Sequence, residues 1–134
     1  MAVKIDKNNL EDIIGLTGMQ EGLLIYHVSK PDAKQYFDQI VLNISGNIDE
    51  EKIKEAWHNV SKANEVLRSV FRWEGLTKPV QVILKNKEIP INVIDVSQNE
   101  NKTPLIDEIK DHDRNRISLS ENPFLISVCR LSTD

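Results

Sequence analysis

A helix in the middle of the chain, flanked on both sides by strand-like runs, most constrains what this sequence can fold into. Four apolar side chains recur there at intervals of three and four residues and therefore share one helical face: Ile53, Ala56, Trp57 and Val60. Asp49 can cap this helix, and the negative charges of the two glutamates that follow it interact favourably with the positive N-terminal end of the helix dipole. The sequence therefore predicts a helix that begins after Asp49 and ends near Asn64.

Strand-like segments with alternating or continuous apolar character precede and follow this helix. In residues 36–45 (YFDQIVLNIS), Ile40, Leu42 and Ile44 alternate on one face, while Phe37 and Val41 lie on the other. This pattern predicts a strand that is covered on both sides. Four further strands are predicted at residues 67–73, 80–84, 91–96 and 124–131. The loop 75–79 contains Gly and Pro and predicts a hairpin between the first two of these four.

Two more helices complete the order of elements. Thr17 and Gln20 have the spacing of a capping box, which predicts a helix from about Gly18 to the break at Pro31. Thr103 followed by a proline predicts the start of a helix that runs through about Arg114. Helices and strands thus alternate without repeats or linkers. We expect a single α/β domain over residues 1–134, built as a two-layer α/β sandwich.

Composition excludes several classes of protein. Of 134 residues, 40% are hydrophobic and 28% are charged, which is typical of a globular domain. The net charge is -4 and the basic residues are scattered, so we expect no nucleic-acid partner. No apolar run approaches the roughly 20 residues of a membrane span, and the N-terminus does not resemble a secretory signal. A single cysteine cannot form an intrachain disulfide, and we therefore expect a cytoplasmic location.

The reactive side chains do not form a recognisable catalytic or metal-binding pattern. His27, His58 and His112 never show the HxxH or HxxxH spacing of metal ligands, so no metal site is expected. Cys129 lies in an alternating apolar strand, which favours a buried and unreactive thiol over a nucleophile. No catalytic residue is assigned from the sequence.

Two short stretches carry a family resemblance. Residues 16–27 (LTGMQEGLLIYH) and 64–71 (NEVLRSVF) resemble the first two core motifs of nonribosomal peptide synthetase condensation domains, which often read LTPMQEGMLFH and RHExLRTxF. The resemblance extends from about Leu10 to Leu131 and implies the N-terminal lobe of such a domain, with the fold of chloramphenicol acetyltransferase. The chain departs from the family at Gly18, where Pro is usual, and at residues 116–119, which read RISL instead of Gly-Phe-Asp-Leu.

The resemblance also implies an activity and partners. Condensation domains join aminoacyl or peptidyl thioesters that two carrier proteins present on phosphopantetheine arms, in the biosynthesis of antibiotics and other secondary metabolites. The third family motif, HHxxxDG, carries the catalytic histidine, and no His-His pair occurs here. We therefore expect a lobe truncated before HHxxxDG that is inactive alone, and whether the chain itself is an enzyme stays open.

Partners and alternatives follow from the same resemblance. It implies carrier protein domains and the C-terminal lobe of the domain as partners, with no cofactor bound directly. The sequence MQEG at residues 19–22 resembles family members that act after another synthetase subunit, and this resemblance implies an upstream subunit as a further candidate partner. Two alternatives stay open: a stand-alone docking module of a synthetase, and a lobe of another acyltransferase of the same superfamily.

Six motif residues are candidates for the functional site. For Arg68 we expect a structural role through a carboxylate or backbone contact, because a guanidinium can donate several directed hydrogen bonds. Glu65 either orients Arg68 and its turn or is a solvated charge. Gln20 and Glu21 belong to the first motif, although a plain capping box explains their spacing as well. Tyr26 and His27 are candidates for lining the substrate tunnel; for His27 the alternative is a packed helix side chain.

Overall fold

The computed structural model describes residues 4–33 and 36–132, which contain three α-helices and five strands. The helices are α1 (Gly18–Ser29), α2 (Glu50–Ala63) and α3 (Lys102–Arg116). The strands are β1 (Leu10–Gly15), β2 (Ser69–Arg72), β3 (Val80–Leu84), β4 (Ile91–Asp95) and β5 (Ile126–Arg130). This mixture of helices and strands confirms the predicted α/β class.

The first two helices begin where the sequence places their caps. At α1, the Gln20 backbone N–H donates to Thr17 Oγ1 at 3.3 Å and the Thr17 N–H donates to Gln20 Oε1 at 2.8 Å. Both hydrogen bonds of the predicted capping box are therefore present. At α2, the Asp49 carboxylate accepts from the backbone N–H groups of Glu51 and Lys52. Capping is a local interaction, and this is why the sequence is sufficient to place both helix starts.

The third helix begins earlier than predicted. Asn101 occupies the N-cap position and α3 starts at Lys102, so the predicted cap at Thr103 is wrong. Pro104 still lies in the first turn, where its missing N–H removes no intrahelical hydrogen bond. A proline is tolerated throughout this turn, and it therefore marks the start of the helix only to within two residues.

The first sheet is antiparallel, with strand order β1-β3-β2. β2 and β3 form the predicted hairpin, whose turn places Gly75 at a φ of +69°, a conformation that glycine adopts without strain. β1 was not predicted, because Ile13 and Ile14 are adjacent and exposed and show no alternation. It is a strand because its backbone pairs with β3, with Ile13 opposite Val82. That pairing partner is remote in sequence and cannot be recognised from local pattern.

The second sheet consists of β4 and β5, which run parallel with Ile91 opposite Ile126. α3 connects the two strands as a crossover, as parallel neighbours require. α2 packs on one face, where Trp57 contacts Phe124 with ring centroids 5.6 Å apart and Arg130 forms an ion pair with Glu50. On the other face, an open apolar groove lies between β4 and α3. This sheet is thus held between two helices.

Residues 36–45 do not form the predicted strand. The side chains expected to be covered are largely exposed, at 83% for Ile40, 75% for Leu42 and 68% for Ile44. A strand is stabilised only by pairing with a neighbour, and no described strand lies beside this segment. The alternation of apolar residues is real, but the partner that it requires is not among the described residues.

Burial is limited for a chain of this length. Among the described residues, the buried apolar side chains are Leu24, Val70, Val82, Ile83 and Val96. α1 exposes the side chains of Met19, Ile25 and Val28, and residues 36–45 expose further apolar side chains. No helix in the described part of the chain is long and apolar enough to span a membrane.

Candidate functional site

Four residues of the second motif, Glu65–Arg68, form a short 3-10 turn that joins α2 to β2. α2 ends at Ala63, and the Leu67 N–H donates to the Asn64 carbonyl, which closes the turn. Arg68 is the last residue of the turn, directly before the buried start of β2. From this position the long cationic side chain of Arg68 extends into the interior of the fold, and the residue is only 6% exposed.

The Arg68 guanidinium donates to acceptors on three different elements. Nε donates to the Ser61 carbonyl near the end of α2 at 3.0 Å. Nη1 donates to the Glu11 carboxylate of β1 and to the Leu84 carbonyl of β3. A buried charge is tolerated when it is paired and hydrogen-bonded in this way. The contacts connect the three-stranded sheet to the end of α2.

A second polar chain connects α1 to the same turn. Gln20 Nε2 donates to Gln81 Oε1 of β3 at 3.4 Å, and Gln81 Nε2 donates to Ser69 Oγ at 2.8 Å. Ser69 Oγ in turn donates to the Glu65 carbonyl at 2.9 Å. Gln81 and Ser69 are buried, and these hydrogen bonds satisfy polar atoms that would otherwise be desolvated without partners. The two resembling motifs therefore meet at β3.

The two motif glutamates have smaller parts in this arrangement. Glu65 contributes its backbone carbonyl, while its exposed carboxylate has no ion-pair or hydrogen-bond partner among residues 4–33 and 36–132. The carboxylate that pairs with Arg68 belongs instead to Glu11. Glu21 is half-buried in the first turn of α1, where its negative charge interacts favourably with the positive N-terminal end of the helix dipole.

Tyr26 and His27 lie near the C-terminal end of α1. The Tyr26 ring packs edge-on against Tyr36 at a centroid distance of 5.2 Å, and Lys30 Nζ lies 5.3 Å above the same ring. His27 is exposed, so the alternative of a packed helix histidine is wrong. Whether either side chain lines a tunnel stays a prediction.

Potential catalytic groups do not converge in the described part of the chain. Burial and the nearby Asp113 carboxylate raise the pKa of the Cys129 thiol, which disfavours the thiolate that a nucleophile requires. Within the described ranges, no three His, Cys, Asp or Glu side chains are placed to hold a metal ion. The arrangement around Arg68 supplies directed hydrogen bonds between elements and no acid, base or nucleophile pair.

Several residues of this cluster have no signal in the sequence that would reveal them. Glu11 lies 57 positions from Arg68 and belongs to the strand that was not predicted. Ser61 and Leu84 contribute backbone carbonyls, whose partners do not depend on the side chain present. Gln81 offers a weak signal, since an amide in the middle of the apolar run VQVIL requires a polar partner when buried.

Comparison with known families gives one match over almost the whole chain. The sequence model of the family described as "Condensation domain" matches residues 10–133. This range contains both motif-like stretches, every strand and helix described above and the Arg68 cluster.

Curated relatives are synthase subunits of bacilli. Surfactin synthase subunit 3 of Bacillus subtilis (strain 168) is 30% identical over 115 residues, which is 84% of this chain and 9% of the relative. Bacitracin synthase 1 of Bacillus licheniformis is 32% identical over 94 residues, which is 70% of this chain and 2% of the relative. The chain therefore spans less than a tenth of the length of these relatives.

Solved structures with the same fold include two condensation domains. The first condensation domain of the calcium-dependent antibiotic synthetase superposes with a TM-score of 0.67 at 19% identity, over 91% of this chain and 30% of that one. The starter condensation domain of the rhizomide synthetase gives a TM-score of 0.67 at 13% identity, over 92% of this chain and 31% of that one. At these identities the likeness establishes the fold.

Proposed function

This chain belongs to the condensation-domain family, and on that premise we propose that it forms the N-terminal lobe of a nonribosomal peptide synthetase condensation domain. The complete domain joins the acyl group of one carrier-bound thioester to the amine of another. The observation that carries the proposal is the family match over residues 10–133, in a sequence without the His-His pair of the third family motif. The chain alone then supplies a wall of the reaction site and not its catalytic histidine.

The geometry supports a scaffolding role for the motif residues. Arg68 joins α2, β1 and β3, and the chain from Gln20 to Ser69 joins α1 to β3 and β2. A condensation reaction between two tethered substrates gains much of its rate from positioning, because tethering turns a bimolecular step into an effectively intramolecular one. We propose that Arg68 and Gln20 keep the lobe rigid enough for that positioning, without contacting the reacting atoms.

Partners follow from the same proposal. The chain binds no cofactor itself, and the phosphopantetheine arms of two carrier protein domains bring the substrates, in the cytoplasm where the synthetase works. Tyr26 and His27 would lie near the path of one arm. An upstream synthetase subunit is a further candidate partner. The exposed apolar side chains of α1 support contact with other protein, because Met19, Ile25 and Val28 are largely uncovered by the described residues.

A condensation assay with loaded carriers tests the proposed function. We expect no dipeptidyl thioester from the isolated chain. We expect product, detected by mass spectrometry of the acceptor carrier, when the chain is fused to the part of the calcium-dependent antibiotic synthetase domain that it does not match. Turnover by the isolated chain at the rate of that complete domain would contradict the proposal. A folded fusion that yields no product would also count against it.

A further inference from the structure

The turn that precedes β5, residues 118–122, is closed by its own backbone hydrogen bonds. The Ser118 N–H donates to the Asn122 carbonyl, and the Glu121 N–H donates to the Ser118 carbonyl, each at 3.1 Å. The turn overlaps the stretch RISL at residues 116–119, where the sequence departs from the family. Contacts made through backbone carbonyls do not depend on the side chains of this stretch, so the turn can be held in spite of the departure.

The outer edge of β2 holds the first part of this turn. The Phe71 N–H donates to the Leu119 carbonyl at 2.9 Å. The guanidinium of the next residue, Arg72, donates to the Ser120 carbonyl. Two successive carbonyl groups of the turn are thereby bonded to the three-stranded sheet that also contains the Arg68 cluster.

Lys87, in the loop between β3 and β4, joins the second part of the turn to the Arg68 cluster. Its ammonium donates to the Glu121 carbonyl at 2.6 Å and to Asn122 Oδ1 at 3.2 Å. Its own backbone carbonyl accepts from Ser61 Oγ at 3.1 Å, and the Ser61 carbonyl accepts from Arg68 Nε at 3.0 Å. One residue therefore connects the motif arginine, through the end of α2, to the turn from which β5 begins.

The surroundings of the Lys87 ammonium differ from those of a solvated surface lysine. Burial lowers the pKa of Lys87, and the negative charge of the Glu121 carboxylate opposes this shift. The same carboxylate acts on Arg72, whose pKa burial also lowers. A partly desolvated cation requires acceptors, and the turn supplies two of them to Lys87. The side chain is thus fixed in one position by the fold.

Other contacts hold β5 to α2 independently of Lys87. The Trp57 ring packs against Phe124 just before the strand, and Glu50 pairs with Arg130 at its end. These contacts and the hydrogen bonds from β2 remain when the Lys87 side chain is shortened or neutralised. Loss of Lys87 should therefore displace the start of β5 without unfolding the chain.

We propose that Lys87 is a positioning residue for the condensation reaction, which fixes the start of β5 relative to the Arg68 cluster and so sets the path of the chain beyond β5 into the reaction site. The proposal rests on the proposed function, which places the third family motif and its catalytic histidine beyond β5. Lys87 acts through the turn and does not contact the reacting atoms. A displacement of about 1 Å can cost about 100-fold in rate, so a small movement of β5 is sufficient for a large effect.

Amide hydrogen exchange of the isolated chain tests whether Lys87 holds the turn. The Phe71 amide reports the attachment of the turn to β2, and the Val82 amide reports the core of the same sheet. Lys87→Met removes the donors and should speed exchange of the Phe71 amide by about tenfold, while the Val82 amide changes by less than about twofold. An unchanged Phe71 amide would overturn the proposal. Equal acceleration of both amides would show that Lys87 only stabilises the fold as a whole, and would overturn it as well.

Steady-state kinetics of the fusion described above test the effect on the reaction. Lys87→Met should lower kcat by about 10- to 100-fold and leave the KM for the loaded donor carrier within about threefold, because positioning of the reacting groups is lost and carrier binding is not. Lys87→Arg should restore most of kcat, since a guanidinium can donate to both the Glu121 carbonyl and Asn122 Oδ1. Lys78→Met is the matched control, because Lys78 is exposed in the turn between β2 and β3, and it should change neither constant.

The outcomes separate this proposal from the proposed function. An active fusion in which Lys87→Met keeps the kcat of the unsubstituted protein would overturn the positioning role and leave the proposed function intact. An equal loss of kcat in Lys87→Met and Lys78→Met, or in Lys87→Met and Lys87→Arg, would also overturn it. A folded, unsubstituted fusion without product would count against the proposed function and would remove the positioning role with it.

Discussion

At the residue scale, the Arg68 guanidinium connects α2, β1 and β3 through its hydrogen bonds. The resemblance of NEVLRSVF to a family motif identified the arginine, and the expectation of a carboxylate or backbone contact named the right kinds of acceptor. It could not name Glu11, because that residue reaches Arg68 only through the pairing of β1 with β3. Glu65, its neighbour in the motif, does not pair with it.

Substitution of Arg68 should be costly because three acceptors would lose their donor. Arg68→Ala is expected to lower the free energy of unfolding by about 2–4 kcal/mol, since it leaves a partly buried carboxylate and two carbonyls without their partner. Arg68→Lys should recover only part, because one ammonium cannot reach acceptors on three elements in the directions that a guanidinium fork does. Urea midpoints of the three proteins provide the measurement.

Arg116→Ala provides the control for that series. Arg116 is exposed in the last turn of α3, and its loss should change the unfolding free energy by less than about 1 kcal/mol. If Arg68→Ala and Arg116→Ala shifted the urea midpoint equally, the structural role proposed for Arg68 would be wrong.

At the element scale, most local signals were reliable, the cap predicted at Thr103 being the exception, and non-local signals were not. The caps at Thr17 and Asp49 and the hairpin around Gly75 each depend on residues within a few positions, and the structure has all three. β1 and residues 36–45 depend on a distant neighbour instead. β1 is a strand although it has no amphipathic pattern, because β3 pairs with it. Residues 36–45 have the pattern but no described strand partner. Strand formation in this chain is therefore decided by pairing more than by periodicity.

The difference between the true and the false cap can be measured. Thr17→Ala removes the hydroxyl that accepts from the Gln20 N–H and should lower the unfolding free energy by about 1 kcal/mol. Thr103→Ala changes a residue inside the first turn of α3 and should cost less than about 0.5 kcal/mol, since Asn101 holds the cap position. Chemical denaturation of both variants decides the point. Equal losses would contradict the assignment of α3's start.

At the scale of the whole molecule, the distribution of apolar surface is the main finding. The buried core around Val70, Val82 and Ile83 is small, while α1 and residues 36–45 expose apolar side chains to solvent. A partner that covers these exposed apolar side chains adds stability to the folded chain. The sequence alone predicted the α/β class and the family, but it could not show which of its apolar faces would remain without a partner.

The most direct test of the central claim, that this chain is one part of a larger domain, is the stability of its own core inside that domain. Hydrogen exchange at Val70, Val82 and Ile83 reports the free energy of opening the β2–β3 core. In the fusion with the remainder of a condensation domain, we predict that these three amides exchange at least about tenfold more slowly than in the isolated chain, which corresponds to about 1.4 kcal/mol of added stability. Exchange at the same rate in the isolated chain and in a folded fusion would contradict the claim, because the core would then gain nothing from the rest of the domain.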